Sequence, residues 1–138
     1  MRVVDFDVPA EVAFDYLVEP RNRPEWQSSL RRVELHDEVV AVGQRWVDVT
    51  AVGARPLMET TTLERPVRWT ERGVWRAFAA TLTLVFTPTP TGCRVEADFE
   101  VTARGLARPA GRVLTRLARA AVPGDLRRAA RILSARSA

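Results

Sequence analysis

The sequence has only one cysteine and one histidine among its 138 residues. Cys93 cannot form an internal disulfide, and one cysteine and one histidine cannot build a cysteine-based zinc cluster or a site that needs two imidazoles. Most metalloenzyme classes are therefore excluded, and we expect no metal. The sequence also lacks a glycine-rich phosphate loop, a nucleophile motif and a dinucleotide fingerprint, so we expect no cofactor.

Long apolar runs are missing as well. The longest uncharged stretch, residues 77–93, contains five threonines and two prolines and is shorter than the roughly 20 apolar residues of a membrane-spanning helix. Residues 1–9 include Arg2, Asp5 and Asp7, so they lack the continuous apolar segment of a secretory signal. We therefore expect a cytoplasmic protein.

Lysine is absent, and the 21 basic residues are all arginines, a bias that GC-rich coding produces without any nucleic-acid partner. Residues 1–102 carry a net charge of −4, whereas residues 103–138 hold nine arginines and one acid, Asp125. Such a basic segment is typical of an anion-binding surface and equally of the solvated face of a packed helix. We expect no nucleic-acid partner, and peripheral contact with an anionic membrane through this segment stays an alternative.

Length and hydrophobic periodicity predict one domain, residues 1–138, because the chain can build one core and not two. Alternation over residues 3–8 predicts a strand. After Pro9, helical spacing predicts a short helix, and the prolines at 20 and 24 leave room for one more short helix. Residues 30–102 then show six strands separated by short turns, which is typical of an antiparallel meander.

The last segment predicts a long amphipathic helix from residue 104 to residue 122. Its arginines fall on one side, and its larger apolar residues fall on the other, where we expect them to pack against the sheet. These apolar residues are Leu106, Val113, Leu114, Leu117 and Ala121. Pro123-Gly124 then predicts a kink or break, with Asp125 as the N-cap of a further helix and Leu126, Ala130 and Leu133 as its apolar stripe.

The order of elements resembles the START-like, or helix-grip, superfamily. Within it, the N-terminal segments are similar to those of polyketide cyclase/dehydrase-like proteins. These segments are Val8-Pro9-Ala10-Glu11-Val12-Ala13-Phe14, Tyr16-Leu17-Val18-Glu19-Pro20 and Pro24-Glu25-Trp26. Further similar segments are Val42-Gly43-Gln44-Arg45-Trp46, residues 63–69 and residues 91–96. The resemblance implies an α+β fold in which a curved antiparallel sheet of about seven strands wraps the long C-terminal helix, with two short helices after the first strand. The sequence departs from the family pattern at Pro123-Gly124 and at Cys93.

The resemblance also implies a cavity between the sheet and the C-terminal helix that binds a hydrophobic or aromatic small molecule, such as a lipid or a polyketide. The alternative is an enzyme of the cyclase/dehydratase kind that uses acid and base groups in that cavity, and a third interpretation is an interaction domain with a filled core. The residues expected at the cavity are the large apolar ones of the strands and helices, Trp26, Trp46, Trp69, Trp75, Phe78, Leu82, Leu84, Phe99, Leu106, Val113, Leu114 and Leu117.

Polar candidates are fewer, and the sequence assigns no catalytic residue. Asp48 shares a strand face with Trp46 and Thr50, and the two-residue alternation alone does not show which face is inward. We favour valines inward and Asp48 in water, because buried carboxylates are rare unless paired; facing the cavity, Asp48 would be a general base. Arginines 45, 68, 72 and 76 are expected at the surface, where an inward one would bind a ligand oxyanion. The row Glu34, His36 and Glu38 is a weak metal or acid/base candidate.

Overall fold

The boundaries of strands and helices follow the alternation and spacing of the apolar residues. The computed structural model describes residues 2–137. Its strands are β1 (Arg2–Phe6), β2 (Leu30–Leu35), β3 (Arg45–Thr50), β4 (Leu57–Glu64), β5 (Arg68–Trp75), β6 (Phe78–Thr89) and β7 (Gly92–Ala103). Its helices are α1 (Ala10–Val18), α2 (Arg23–Trp26) and α3 (Arg108–Ser137), with 3-10 turns at Pro20–Asn22 and Gly105–Ala107. Within residues 2–137, no helix combines the length and the apolar character needed to cross a membrane.

The seven strands form one antiparallel sheet in the order β1-β7-β6-β5-β4-β3-β2. Strands β2 to β6 each pair with the next strand along the chain, as a meander requires. Strand β1 pairs with β7, with Val4 opposite Val95, and α3 packs on β7 and β1. The predicted helix-grip fold, with its two short helices after the first strand, is confirmed.

Helix α1 packs across the end of the sheet that carries the β6–β7 hairpin. Phe14 and Leu17 are buried, and the ring of Phe14 meets that of Phe86 edge-on with 5.1 Å between centroids. Gly92 begins β7 at the point where the chain passes β1, and a Cβ there would overlap the carbonyl oxygen of Phe6. Glycine is therefore required at this crossing.

Of the kink or break predicted at Pro123-Gly124, the break is wrong, because α3 continues through both residues to Ser137, and the kink stays a prediction. A proline inside a helix leaves the carbonyl four residues earlier without its usual N–H donor. Here that carbonyl belongs to Arg119, and it accepts a hydrogen bond from Arg2 Nε at 3.0 Å. Asp125 is not an N-cap but lies within α3, where its carboxylate accepts from the Ser28 hydroxyl at 2.9 Å.

The buried face of α3 also differs from the prediction. At about 100° per residue, its fully buried residues fall within about 30° of one common direction; they are Gly111, Thr115, Leu126, Ala129 and Leu133. One continuous stripe therefore serves the whole helix, and only its C-terminal part matches the predicted stripe. The expected packing of the other apolar residues against the sheet is wrong, since they are exposed: Leu106, Val113, Leu114, Leu117 and Ala121.

The reason is the close approach between α3 and β7. A Cβ at Gly111 would lie 3.2–3.3 Å from the backbone of β7 at Val101–Ala103. The hydroxyl of Thr115 accepts from the Val101 N–H at 2.8 Å and lies 3.0 Å from the Val101 carbonyl oxygen. Since the pairing of β1 with β7 ends at Ala97, Thr115 satisfies backbone groups that this sheet edge leaves open. Small residues, and not leucines, therefore set the position of this half of α3.

Candidate functional site

A cavity of about 430 Å³ lies between the sheet and α3. Apolar side chains from β4 to β7 and from α3 line most of it; they include Met58, Trp75, Phe78, Leu82, Leu84, Phe99, Leu117, Val122 and Leu126. The lining residues Ser29, Leu117 and Ala121 are also exposed, so they mark the opening of the cavity beside α3. This size and apolar lining are typical of a small-molecule site.

Seven of the twelve residues predicted at the cavity line it, namely Trp26, Trp75, Phe78, Leu82, Leu84, Phe99 and Leu117. Trp46 and Trp69 are buried behind the wall, where their indole nitrogens donate to Asp48 at 2.9 Å and to Thr60 at 3.2 Å. Leu106, Val113 and Leu114 lie outside the lining and are exposed.

A buried ionic cluster forms part of the cavity wall between α2, β3 and β5, and it consists of Arg23, Asp48 and Glu71. Arg23 Nε and Nη2 donate to the two oxygens of Asp48 at 3.1 and 2.8 Å. Nη1 and Nη2 donate to the two oxygens of Glu71 at 2.7 and 3.2 Å. None of the three residues is more than 4% exposed. One guanidinium therefore holds two carboxylates in an environment that excludes water.

The cluster has one more acidic group than basic groups. Burial raises the pKa of Glu71 to about 7; Arg23 opposes this rise, and the nearby Asp48 adds to it. Burial acts against the charge on Arg23, but the two carboxylates outweigh it and raise the pKa of Arg23 further. The indole ring of Trp46 makes a cation–π contact with the guanidinium of Arg23, whose Cζ lies 5.2 Å from the ring centroid. Burial thus moves the pKa of Glu71 toward neutral pH.

Three separate parts of the chain supply the cluster. Asp48 faces inward beside Trp46, so the favoured prediction that Asp48 lies in water is wrong. Glu71 was not predicted, although it alternates with the buried positions Trp69 and Gly73. That alternation along β5 was the signal that could have identified Glu71 as an inward-facing residue. Arg23 was also missed, since nothing in its own segment shows which strands α2 will cross.

Contacts among the helices fix α2, and hence Arg23. The hydroxyl of Tyr16 in α1 donates to Glu25 in α2 at 2.8 Å. Arg136 of α3 donates to the same carboxylate at 3.2 Å and lies over the Tyr16 ring, 5.6 Å from its centroid. Burial, followed by the Glu25 carboxylate, raises the pKa of Tyr16. The hydroxyl therefore stays protonated and keeps its donor role.

One further polar group on the cavity wall is unused. Trp26 is 2% exposed, and its indole nitrogen finds no acceptor within residues 2–137. A buried N–H without an acceptor is costly, so this group favours a ligand that carries an oxygen acceptor.

The other candidates lie away from the cavity. Arginines 45, 68, 72 and 76 are exposed, as predicted. Glu34 pairs with Arg32 and Arg55 at the surface, and His36 is exposed. Burial raises the pKa of the Cys93 thiol to about 11, which leaves it a poor nucleophile. Within residues 2–137, no group of three or more His, Cys, Asp or Glu side chains is arranged to hold a metal ion.

The sequence profile of one protein family, described as polyketide cyclase / dehydrase and lipid transport, matches residues 2–138. The chain belongs to this family. Its members generally bind small hydrophobic ligands, and family and fold together support a ligand-binding or cyclase-like role for this member. No curated protein matches the chain.

Solved structures show the same fold. The di-domain ARO/CYC StfQ from the steffimycin biosynthetic pathway is 20% identical with a TM-score of 0.78, and the match covers 99% of this family member and 50% of StfQ. A START superfamily protein from Mycobacterium smegmatis is 10% identical with a TM-score of 0.74, covering 93% and 90% of the two chains. Protein MLL2253 from Mesorhizobium loti is 19% identical with a TM-score of 0.73, covering 96% and 94%. These similarities establish the fold.

Proposed function

We propose that the protein binds a hydrophobic or aromatic small molecule with a neutral, oxygen-bearing polar group inside the cavity. The observation that carries the proposal is the cavity of about 430 Å³, which has apolar walls and one buried ionic cluster. Apolar walls supply affinity through the burial of ligand surface, and a few polar groups fix orientation.

The ionic cluster is the reason that we expect the polar group of the ligand to be neutral. Four hydrogen bonds to its own two carboxylates already occupy most of the donors of Arg23, so the guanidinium is not free to bind a ligand carboxylate. A hydroxyl or carbonyl oxygen can accept from Trp26, whose N–H is unused within the described chain. A hydroxyl can also donate to a carboxylate of the cluster.

Native mass spectrometry of the purified protein, compared with the denatured sample, tests for a molecule carried through purification. We expect a bound species of a few hundred daltons, or saturable binding of the neutral dye N-phenyl-1-naphthylamine. Ala121→Trp places a large ring at the cavity opening, whereas Ala120→Trp changes an exposed α3 residue that is not part of the lining. Binding lost in the first variant and kept in the second supports the proposal. Equal behaviour of the two variants, or no binding at all, refutes it.

A second candidate function, cyclase/dehydratase activity, is favoured by the proton exchange of Glu71 near neutral pH on the cavity wall. A general base with a pKa near the working pH is well matched to removing a proton from carbon next to a carbonyl. The enolate would form a carbon–carbon bond with a second carbonyl of the same molecule, and the aldol product would then lose water. Asp48 is the second inward carboxylate, whereas the arginines considered as its partners lie outside the cavity.

A synthetic aryl 1,3,5-triketone tests this second function, because its cyclisation changes its ultraviolet absorbance. We expect a rate above that of buffer which depends on pH with a midpoint near 7, and we expect Glu71→Gln to lose both. A rate equal to that of buffer excludes this activity on the triketone and leaves the binding proposal untouched.

A further inference from the structure

The exposed side of the first half of α3, together with the 3-10 turn before it, combines apolar and cationic residues. Leu106, Val113, Leu114 and Leu117 are 103%, 58%, 40% and 62% exposed. They stay exposed because this half of α3 packs on β7 through Gly111 and Thr115. Exposed leucines gathered in one patch, unlike scattered ones, mark an interaction surface.

Positive charge lies on the neighbouring side of the same segment. Arg104, Arg108, Arg112 and Arg116 are all exposed, and none forms an ion pair with any of residues 2–137. The sequence contains no acidic residue between Glu100 and Asp125. We call these four arginines together with Leu106, Val113, Leu114 and Leu117 the rim surface.

The rim surface adjoins the opening of the cavity. Leu117 belongs to both. The segment between β7 and α3 is tied to the β5–β6 turn, because the Arg104 N–H donates to the Ala77 carbonyl at 3.0 Å. Trp75, a cavity residue, ends β5 next to that turn, and the guanidinium of Arg76 in the turn is stacked 4.5 Å from its ring centroid. Tryptophan and arginine side by side suit the boundary between lipid headgroups and acyl chains.

We propose that the rim surface docks the protein on an anionic lipid bilayer. The apolar residues would enter the acyl boundary, while the arginines contact anionic headgroups. A second copy of the chain fits poorly, because two cationic surfaces would face each other. Nucleic acid would satisfy the arginines but leave the leucines in water. If the cavity binds an apolar ligand, which rests on the proposed function, docking here places its opening against the source of such ligands.

Co-sedimentation with vesicles tests the proposal, using neutral phosphatidylcholine alone and the same lipid with about 30 mol% phosphatidylglycerol. We expect binding to the anionic vesicles that weakens between about 0.05 and 0.5 M salt. The triple variant Arg108→Gln, Arg112→Gln and Arg116→Gln should bind at least about 10-fold more weakly. The control triple Arg45→Gln, Arg68→Gln and Arg72→Gln removes the same charge from exposed strand residues and should bind like the wild type.

A second pair of variants tests the apolar part at constant charge. Val113→Ser should weaken vesicle binding several-fold, whereas Val42→Ser should not, although these valines are similarly exposed at 58% and 62%. Neither residue lines the cavity, so dye binding without vesicles should be unchanged in both. Failure of dye binding alone overturns the proposed function and leaves docking standing.

Three results would overturn docking. They are equal vesicle binding by the rim and control variants, binding of a DNA duplex without binding of anionic vesicles, and a dimer in sedimentation velocity that Val113→Ser dissociates.

Discussion

Arg23 and Glu71, 48 residues apart in the chain, share two hydrogen bonds of 2.7 and 3.2 Å on the wall of an apolar cavity. The same guanidinium holds Asp48, so the local structure of α2, the inward face of β3 and the inward face of β5 depend on one another. This arrangement joins the stability of the fold to the chemistry of the cavity, because the guanidinium that organises the wall also opposes the rise that burial causes in the pKa of Glu71.

Removing Arg23 should be strongly destabilising. Arg23→Met leaves two carboxylates buried without a cation, and we expect the free energy of unfolding to fall by about 3–5 kcal/mol in urea denaturation. The triple variant Arg23→Met, Asp48→Asn and Glu71→Gln removes all of this charge and should be more stable than Arg23→Met alone.

Arg94→Met is the control for the loss of an arginine from an ion pair. Arg94 pairs with Asp5 at the surface, and the expected loss is below about 1 kcal/mol. If Arg23→Met and Arg94→Met prove equally mild, the cluster does not organise the wall.

Glu71 should make stability depend on pH in a direction opposite to that of an ordinary paired carboxylate. Its pKa in the folded state, about 7, lies above the usual value of 4.5, so the folded protein binds this proton more tightly than the unfolded chain does. The stabilising contribution is full below pH 4.5 and is lost as pH rises to 7. Relative to Glu71→Gln, the wild type should therefore lose on the order of 3 kcal/mol over this range.

Urea denaturation at a series of pH values gives this difference curve. Glu100→Gln is the matched control, because it removes an exposed carboxylate outside the cluster. A wild-type curve parallel to that of Glu71→Gln from pH 4.5 to 7 would show that Glu71 keeps its ordinary proton affinity.

The sequence was sufficient for the strands, their order and the two short helices, because alternation and proline placement act locally. It was insufficient for the inward carboxylates. The two-residue alternation of a strand places Trp46 and Asp48 on one face of the sheet. An inward Asp48 is tolerated only because Arg23, from another segment, pairs with its carboxylate. Whether a charged side chain can be buried depends on its partner, and a local sequence pattern does not show that partner.

Helix α3 shows a different limit. Its hydrophobic pattern is dominated by leucines, yet the distance to β7 is set by Gly111 and Thr115. The small residues of the first half are in register with Leu126 and Leu133 of the second half. That shared register was the signal for a continuous buried stripe, and a pattern weighted by hydrophobicity alone overlooks it.

The two glycines of α3 should therefore respond to alanine in opposite ways. At Gly124 a Cβ meets nothing within 4 Å, so Gly124→Ala should stabilise the protein by up to about 1 kcal/mol through helix propensity. At Gly111 the added Cβ presses on the β7 backbone, so Gly111→Ala should be destabilising by about 1–3 kcal/mol. Urea denaturation of both variants checks the signs. A stabilising Gly111→Ala would mean that α3 is not held closely against the strand.

The charge of the cluster should decide which polar group a ligand carries. Dodecanol and dodecanoate have the same chain length, and their displacement of N-phenyl-1-naphthylamine from the cavity compares their affinities. We expect dodecanol to bind about 10-fold more tightly at pH 8, because ionised Glu71 gives the cluster a net negative charge that opposes a carboxylate. Below pH 7, Glu71 takes up its proton, so the preference should shrink. Glu71→Gln should show the smaller preference at both pH values. If dodecanoate binds more tightly at pH 8, Arg23 is available to ligands after all, and the cavity selects anionic molecules.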